Sequence, residues 1–111
     1  MSEEYQRSTM SMTVVQQKPH WVIRLDGELN SGCAVELRTL LLAWRAAGTD
    51  LEWDCSRASE LDLTILQLME AARREARQQN LRFSGQPSEA VAMAVRAAGF
   101  VDLEGCLGGG A

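Results

Sequence analysis

The order of strand-like and helix-like segments is the feature that most limits how this chain can fold. Runs rich in β-branched, aromatic or alternating apolar residues lie at 12–15, 21–25, 51–55 and 81–85. After the last three runs, apolar residues recur at helical spacing over 32–47, 61–76 and 88–98. This order, β-β-α-β-α-β-α, predicts an α/β fold with a partly parallel sheet, because connecting helices make successive strands parallel. The first two runs are expected to pair as an antiparallel hairpin.

The chain length allows one domain with flexible ends. Its 111 residues match the common size of a single domain and are too few for a second core. Residues 1–11 show little periodicity and are predicted to be a flexible N-terminus, and 106–111 are predicted to be a flexible glycine-rich tail. The predicted domain therefore spans 12–105.

Charge and hydropathy argue against several classes of protein. The formal net charge of -4 does not suit sequence-independent nucleic-acid binding, which needs clustered cations. No apolar run approaches the length of a membrane span, so we expect no membrane insertion, and the polar start differs from a signal peptide. Three cysteines without a CxxC pair indicate reduced thiols, a cytoplasmic protein and no metal site.

Motifs for catalysis or cofactor binding are not found in the sequence. No glycine-rich loop joins a predicted strand to a helix, and nothing links the single histidine, His20, to a cysteine as its base. Cys55 is expected in the core. Cys33 starts a predicted helix, where the pKa of a thiol can fall, but a structural role is favoured for it too. We therefore expect no enzyme and no cofactor; catalysis by Cys33 or by acidic residues is the less favoured alternative.

Acidic side chains cluster between the third predicted strand and the second predicted helix. Asp54, Glu60 and Asp62 surround a predicted polar loop at 56–60. Open α/β sheets place their sites beyond the C-terminal ends of strands, so function is expected here. Asp62 is a candidate N-cap of the helix, and Thr64, which begins a capping-box pattern, is the other. Either cap would make the helix start a rigid docking point.

Four segments, in one register over about residues 12–103, resemble the STAS domain family of anti-sigma factor antagonist-like proteins. The first two are Val22-Ile23-Arg24-Leu25-Asp26-Gly27-Glu28-Leu29-Asn30 and Leu51-Glu52-Trp53-Asp54-Cys55-Ser56. The others are Leu61-Asp62-Leu63-Thr64-Ile65-Leu66 and Ala97-Ala98-Gly99-Phe100. The resemblance implies a STAS-like α/β fold, in which three to four helices pack on a mixed sheet of four to five strands.

The same resemblance implies signal transduction through a partner protein. In the family, a kinase-type anti-sigma factor phosphorylates the first serine of an Asp-Ser-Ser/Thr-Gly-Leu motif. Leu63 stands at the position of that serine and Ile65 at that of the glycine, so Thr64 is the candidate phosphoacceptor. The implied function is a bacterial regulatory module that docks a kinase-type anti-sigma factor or a chemosensory component. The implied partner-binding residues are Ser56, Arg57, Ser59, Glu60, Asp62, Leu63, Thr64 and Ile65.

A second function fits the same resemblance. The chain would be a constitutive structural STAS subunit of a larger assembly, such as a lipid-transport ABC system, with Leu63 and Ile65 as apolar anchors. Its binding would not respond to ATP, whereas the regulatory module would either be switched by phosphorylation of Thr64 or stay constitutively in the state that corresponds to the unphosphorylated form. Pairing through a sheet edge or a helix face would give a homodimer.

Overall fold

The computed structural model describes residues 3–9, 12–17 and 20–107, together with the side chains of Met12 and of 20–107. These residues form the strands β1 (Glu3–Thr9), β2 (Met12–Gln17), β3 (His20–Leu29), β4 (Asp50–Leu61) and β5 (Phe83–Pro87). They also form the helices α1 (Ala34–Ala47), α2 (Leu63–Gln78), α3 (Glu89–Ala97) and α4 (Val101–Cys106). A 3-10 turn (Ser31–Cys33) leads into α1.

The strands form one sheet in the order β1-β2-β3-β4-β5. β2 and β3 pair antiparallel as the predicted hairpin, with Met12 opposite Leu25 and Gln17 opposite His20. β3, β4 and β5 are parallel neighbours, and helices connect them. The predicted α/β fold with a partly parallel sheet is therefore confirmed, with three strands in its parallel part.

β1 lies in the part of the chain for which the sequence predicts a flexible N-terminus. It pairs antiparallel with β2, with Glu3 opposite Gln16 and Tyr5 opposite Val14. Its sequence, EEYQRST, has one large apolar residue and no period-two alternation. Backbone pairing along a hairpin does not require such a pattern, and the element order gains an unpredicted strand at its start.

The buried residues of β3 and β4 point into one core, and they alternate with other residues as far as Leu25 and Cys55. The residues between them are exposed or half-buried, as expected where successive side chains point to opposite faces of a sheet. Trp53 is fully buried and packs against Phe83, with the ring centroids 6.1 Å apart. The buried residues of these strands are Trp21, Ile23, Leu25, Leu29, Leu51, Trp53, Cys55, Ala58 and Leu61.

The helix ends follow their sequence signals. Asn30 Oδ1 accepts a hydrogen bond of 2.8 Å from the Gly32 N–H at the 3-10 turn. Gly48 ends α1 with a left-handed φ of 66°, and Ser88 Oγ accepts from the Val91 N–H at 3.1 Å at the start of α3. None of these helices, within the described ranges, is long and apolar enough to cross a membrane.

The end of the domain closes over Gly85 of β5. A Cβ at Gly85 would lie 2.8 Å from Leu107 Cδ2 and 2.8 Å from the Trp53 carbonyl oxygen. The absent side chain therefore lets Leu107, which is 1% exposed, complete the core. Because Cys106 ends α4, two residues of the predicted tail belong to the packed domain. The rest of that tail, 108–111, lies outside the described residues.

A buried ion pair on α2 reaches towards α4. Glu70 accepts hydrogen bonds from Arg73 Nε at 2.9 Å and Arg73 Nη2 at 2.8 Å, and from Arg74 Nε at 2.9 Å. Arg73 Nη2 also lies 3.8 Å from Asp102 Oδ2 of α4. The hydrogen bond from Arg73 is the main reason that the pKa of Glu70 is lowered. Glu70 and Arg74 have the i,i+4 spacing typical of ion pairs on a helix, and Glu70 and Arg73 have the i,i+3 spacing.

Candidate functional site

The segment after Cys55 is a strand and not the predicted polar loop. β4 continues to Leu61, and its second half pairs in parallel with the end of β3. Ala58 in this half is 2% exposed, so the strand is anchored in the core. Its exposed residues include the four that are predicted to bind a partner: Ser56, Arg57, Ser59 and Glu60. Hydrogen bonding to β3 therefore fixes their relative positions.

Two register shifts explain why this strand is hidden in the sequence. Each shift inserts one extra residue into β4 relative to β3, as a bulge does. Buried positions of β4 are therefore two residues apart up to Cys55 and three residues apart from there to Ala58 and Leu61. The shifted pairs are Arg24↔Asp54, Asp26↔Arg57, Gly27↔Ala58 and Glu28↔Glu60.

Asp54 holds the first residue of the shifted segment in place. Its Oδ1 accepts hydrogen bonds from the Ser56 hydroxyl at 2.7 Å and from the Ser56 N–H at 3.2 Å. Its Oδ2 accepts from Arg24 Nε on β3 at 3.2 Å. The Ser56 hydroxyl, followed by its N–H and by Arg24, favours the carboxylate and lowers the pKa of Asp54 despite partial burial. Asp54 is therefore a structural acceptor that orients Ser56.

Ser88, which follows β5, forms hydrogen bonds to the second half of β4. Its hydroxyl donates to the carbonyl oxygen of Ala58 at 2.6 Å, and its N–H donates to the carbonyl oxygen of Cys55 at 3.0 Å. Since Ser88 also caps α3, the start of that helix and the second half of β4 form one connected unit.

Asp62 joins β4 to α2 and caps the helix. Its Oδ1 accepts from the Thr64 N–H at 2.9 Å, and its own N–H donates to the carbonyl oxygen of Leu29 at 2.9 Å. Of the two candidate caps, the structure therefore selects Asp62, in an extended conformation with ψ of 151°. The helix start is tied both to its cap and to the end of β3.

The next three residues differ in exposure. Leu63, the first residue of α2, is 54% exposed, and Thr64 is half-buried. Ile65 is fully buried in the core, so its predicted role as a partner-binding residue is wrong. The reason is helical geometry: two residues beyond Leu63 the helix has turned by about 200°, which takes the side chain from solvent to core.

A small polar cavity lies between the ends of β3 and β4. Its volume is about 330 Å³. The residues that line it are Glu28, Leu29, Asn30, Glu60, Leu61 and Asp62. Three of them are acidic, and the last, Asp62, directly precedes the exposed Leu63 in the chain.

The family model described as "Mlab, STAS domain" matches residues 12–105. This chain belongs to the STAS domain family. The resemblance inferred from the four sequence segments is confirmed. No curated protein sequence matches this STAS domain.

Solved structures with the same fold are similar to this STAS domain at low sequence identity. The anti-sigma factor antagonist SpoIIAA in its unphosphorylated form is 22% identical, with a TM-score of 0.67 over 78% of this chain and 82% of its own. The Bacillus cell fate determinant SpoIIAA in its phosphorylated form is 20% identical, with a TM-score of 0.68 over 84% and 87%. An uncharacterized Shewanella loihica protein with a SpoIIAA-like fold is 14% identical, with a TM-score of 0.52 over 86% and 83%.

Two site residues of this STAS domain are not among those predicted. Glu28 is the register partner of Glu60, and Asn30 directly follows β3. The signal that could have found them is the topology itself. Neighbouring parallel strands end at the same edge of a sheet, so residues after β3 meet residues after β4.

Two of the three cysteines lie next to the residues just described: Cys55 precedes Ser56 in β4, and Cys33 Sγ lies 3.9 Å from Asn30 Oδ1. Cys55 is fully buried, as predicted, and burial raises the pKa of its thiol to about 12. Cys33 and Cys106 are half-buried. Among the described residues, no group of three or more histidine, cysteine or acidic side chains is arranged to hold a metal ion.

Proposed function

We propose that this STAS domain is a bacterial cytoplasmic regulatory module that binds a partner protein and does not catalyse a reaction. Its docking site is the β4–α2 surface, defined as Ser56, Arg57, Ser59, Glu60, Asp62, Leu63 and Thr64. The observation that carries the proposal is the exposure of Leu63, 54%, at a helix start that is capped and hydrogen-bonded to β3.

The layout of the β4–α2 surface supports docking of a protein. An apolar side chain, Leu63, lies beside charged and hydroxyl side chains, which matches the apolar centre and polar rim of protein interfaces. Full burial of a leucine contributes roughly 1.5–3 kcal/mol. Because hydrogen bonds already hold β4 and the start of α2, little conformational freedom remains to be lost on binding.

Candidate partners are a kinase-type anti-sigma factor and a chemosensory component. SpoIIAA, whose fold this domain shares, has structures in phosphorylated and unphosphorylated forms. In the resemblance that we infer for this chain, Leu63 takes the place of the phosphorylated serine, and Thr64 is the remaining phosphoacceptor candidate. A phosphate on Thr64 would add about 1.5–2 negative charges two residues after Asp62, which lines the cavity together with Glu60 and Glu28. Repulsion within this acidic cluster and desolvation of the phosphate would weaken docking.

The proposal is tested by co-purification with Leu63→Asp. The tagged wild-type domain, expressed in its native cells, is expected to retain a partner that Leu63→Asp loses. Val101→Asp is the matched control, because Val101 is also exposed, at 74%, but lies on α4. If Leu63→Asp retained the same partner, the β4–α2 surface would not be the docking site.

A constitutive structural subunit, for example of a lipid-transport ABC system, is the second candidate function. It is favoured by Leu63 itself, since an exposed leucine without a hydroxyl is suited to permanent burial in an interface. The two functions differ in their response to ATP. Incubation of the purified complex with ATP should release a regulatory module, with one phosphate by intact mass that Thr64→Val does not acquire. A constitutive subunit should stay bound and unmodified.

A further inference from the structure

A second exposed apolar feature lies between α1 and α2, away from the β4–α2 surface. Leu42 of α1 is 53% exposed and borders a groove that the neighbouring helix completes. Leu63 lies outside its lining. Besides buried core residues, its lining includes Arg38, Leu42 and Arg45 on the α1 side and Leu68, Ala71 and Glu75 on the α2 side.

The shape of this α1–α2 groove favours side chains of a protein over a small molecule. Its volume is about 200 Å³, below the roughly 300–1,000 Å³ of small-molecule pockets. On each helix the outermost lining positions are seven residues apart, which is about 10.5 Å along the axis. Ala71 is the smallest of the exposed side chains in this lining. A groove two helical turns long, with an exposed leucine on one helix and an exposed alanine on the other, fits the apolar face of another helix.

The charges at the groove indicate which charge a partner's helix would need in order to bind there. The chain as a whole carries a net charge of -4, yet the α1 edge of the groove carries two arginines. Arg38 is exposed and has no ion pair within the described part of the chain. Arg45 Nε lies 3.6 Å from Glu75 Oε2 and remains 61% exposed, which leaves other N–H groups of its guanidinium available. Carboxylates two turns apart would match this edge.

We propose that the α1–α2 groove docks an acidic amphipathic helix of a partner protein. Its leucine-like side chains pack on Leu42 and Ala71, and its carboxylates pair with Arg38 and Arg45. This second surface is independent of the proposed function, because neither Leu63 nor any other residue of the β4–α2 surface takes part in it.

The test uses synthetic helical peptides as probes. One is an alanine-based helix of about 18 residues, long enough to be helical in water, with leucines four residues apart and glutamates seven residues apart beside them. Its twin has lysines in place of the glutamates. Titration of the isotope-labelled protein, followed by backbone amide NMR shifts, should show changes centred on the groove. The lysine peptide should bind at least tenfold more weakly, because its charges face Arg38 and Arg45.

Matched variants show whether the groove itself binds. Leu42→Asp should lower the affinity for the glutamate peptide by roughly tenfold, which corresponds to about 1.4 kcal/mol of binding free energy. Ala43→Asp adds the same charge to an exposed position that faces away from the groove and should leave binding unchanged. Arg38→Glu should weaken binding of the glutamate peptide and strengthen binding of the lysine peptide.

Several results would overturn the proposal. It would be overturned if both peptides bound equally, or if the NMR shift changes lay outside the groove. It would also be overturned if Leu42→Asp and Ala43→Asp lost equal affinity for the glutamate peptide. Self-association of the protein that Leu42→Asp abolishes, without peptide binding, would show that a second copy fills the groove. Leu63→Asp should bind the glutamate peptide like the wild type, so failure of the proposed function and failure of this inference are separate outcomes.

Discussion

Ser88 Oγ donates a 2.6 Å hydrogen bond to the carbonyl oxygen of Ala58, across 30 residues of sequence. Ala58 lies between two exposed residues of the β4–α2 surface, Arg57 and Ser59. The same hydroxyl accepts a hydrogen bond from the Val91 N–H at 3.1 Å. One side chain thus caps α3 and fixes the strand from which we expect docking.

Ser88→Ala is expected to destabilise the domain by about 2 kcal/mol, since it removes both a helix cap and a part-buried hydrogen bond. Urea unfolding measures this loss. Ser84→Ala, at an exposed position of β5, is the matched control and should unfold close to the wild-type midpoint. Coincident midpoints for the two variants would show that the Ser88 hydroxyl does not hold β4.

Asp62→Ala is expected to lower the free energy of unfolding by about 1 kcal/mol, which is the usual loss when an N-cap carboxylate that accepts a backbone N–H is removed. Thr64→Ala should cost less, because Thr64 uses its backbone and not its side chain in the cap. Thermal unfolding of both variants checks the order. A larger loss of stability for Thr64→Ala than for Asp62→Ala would indicate that Thr64, and not Asp62, caps α2.

Stability is expected to fall in acid through Glu70. The pKa of this carboxyl lies below its ordinary value of 4.5 in the folded protein, chiefly because of Arg73. The contribution of Glu70 is therefore complete above about pH 4.5 and is lost as the pH falls through the lowered folded pKa. Glu70→Gln should cost roughly 2–3 kcal/mol at pH 7, since it breaks a buried ion pair.

The difference between wild type and Glu70→Gln should shrink as the pH is lowered below 4.5, when Glu70 itself becomes neutral. Urea unfolding at a series of pH values measures it. Glu89→Gln, at an exposed position, controls for loss of a surface charge. A difference that stayed constant down to acid would mean that the charge of Glu70 is not what stabilises the fold.

Gly85→Ala is expected to destabilise the domain by about 2 kcal/mol, because the new Cβ would meet Leu107 and the Trp53 carbonyl oxygen. Gly105→Ala is the matched control: its Cβ meets no atom within 4 Å, and alanine favours the helix. Differential scanning calorimetry should show opposite shifts of Tm. If both substitutions raised Tm, Leu107 would not close the core over Gly85.

The sequence predicts best those elements whose side-chain pattern is regular. α2 follows helical spacing without interruption, and Gly48 and Ser88 mark helix ends by their backbone preferences. The strand at 51–55 is predicted from its alternation. Its continuation to Leu61 is hidden because two register shifts change the spacing of buried residues from two to three.

The site is predicted in part for the same reason. The structure shows Asp62 as the cap of α2 and Leu63 as its exposed first residue, and their role in docking stays a prediction. Ile65 is misplaced because a linear motif does not show how far a helix turns between its residues. Glu28 approaches Glu60 only through the parallel pairing of β3 with β4, which the local sequence of either strand does not contain.

Site-specific photo-crosslinking from position 63 tests the central claim most directly. A photoreactive phenylalanine analogue replaces Leu63 in one sample and Val101, exposed on α4, in the other, and both are irradiated in native cells. We predict one discrete crosslinked protein from position 63 that is absent from position 101. No crosslink from position 63, or the same products from both positions, would contradict docking through the β4–α2 surface.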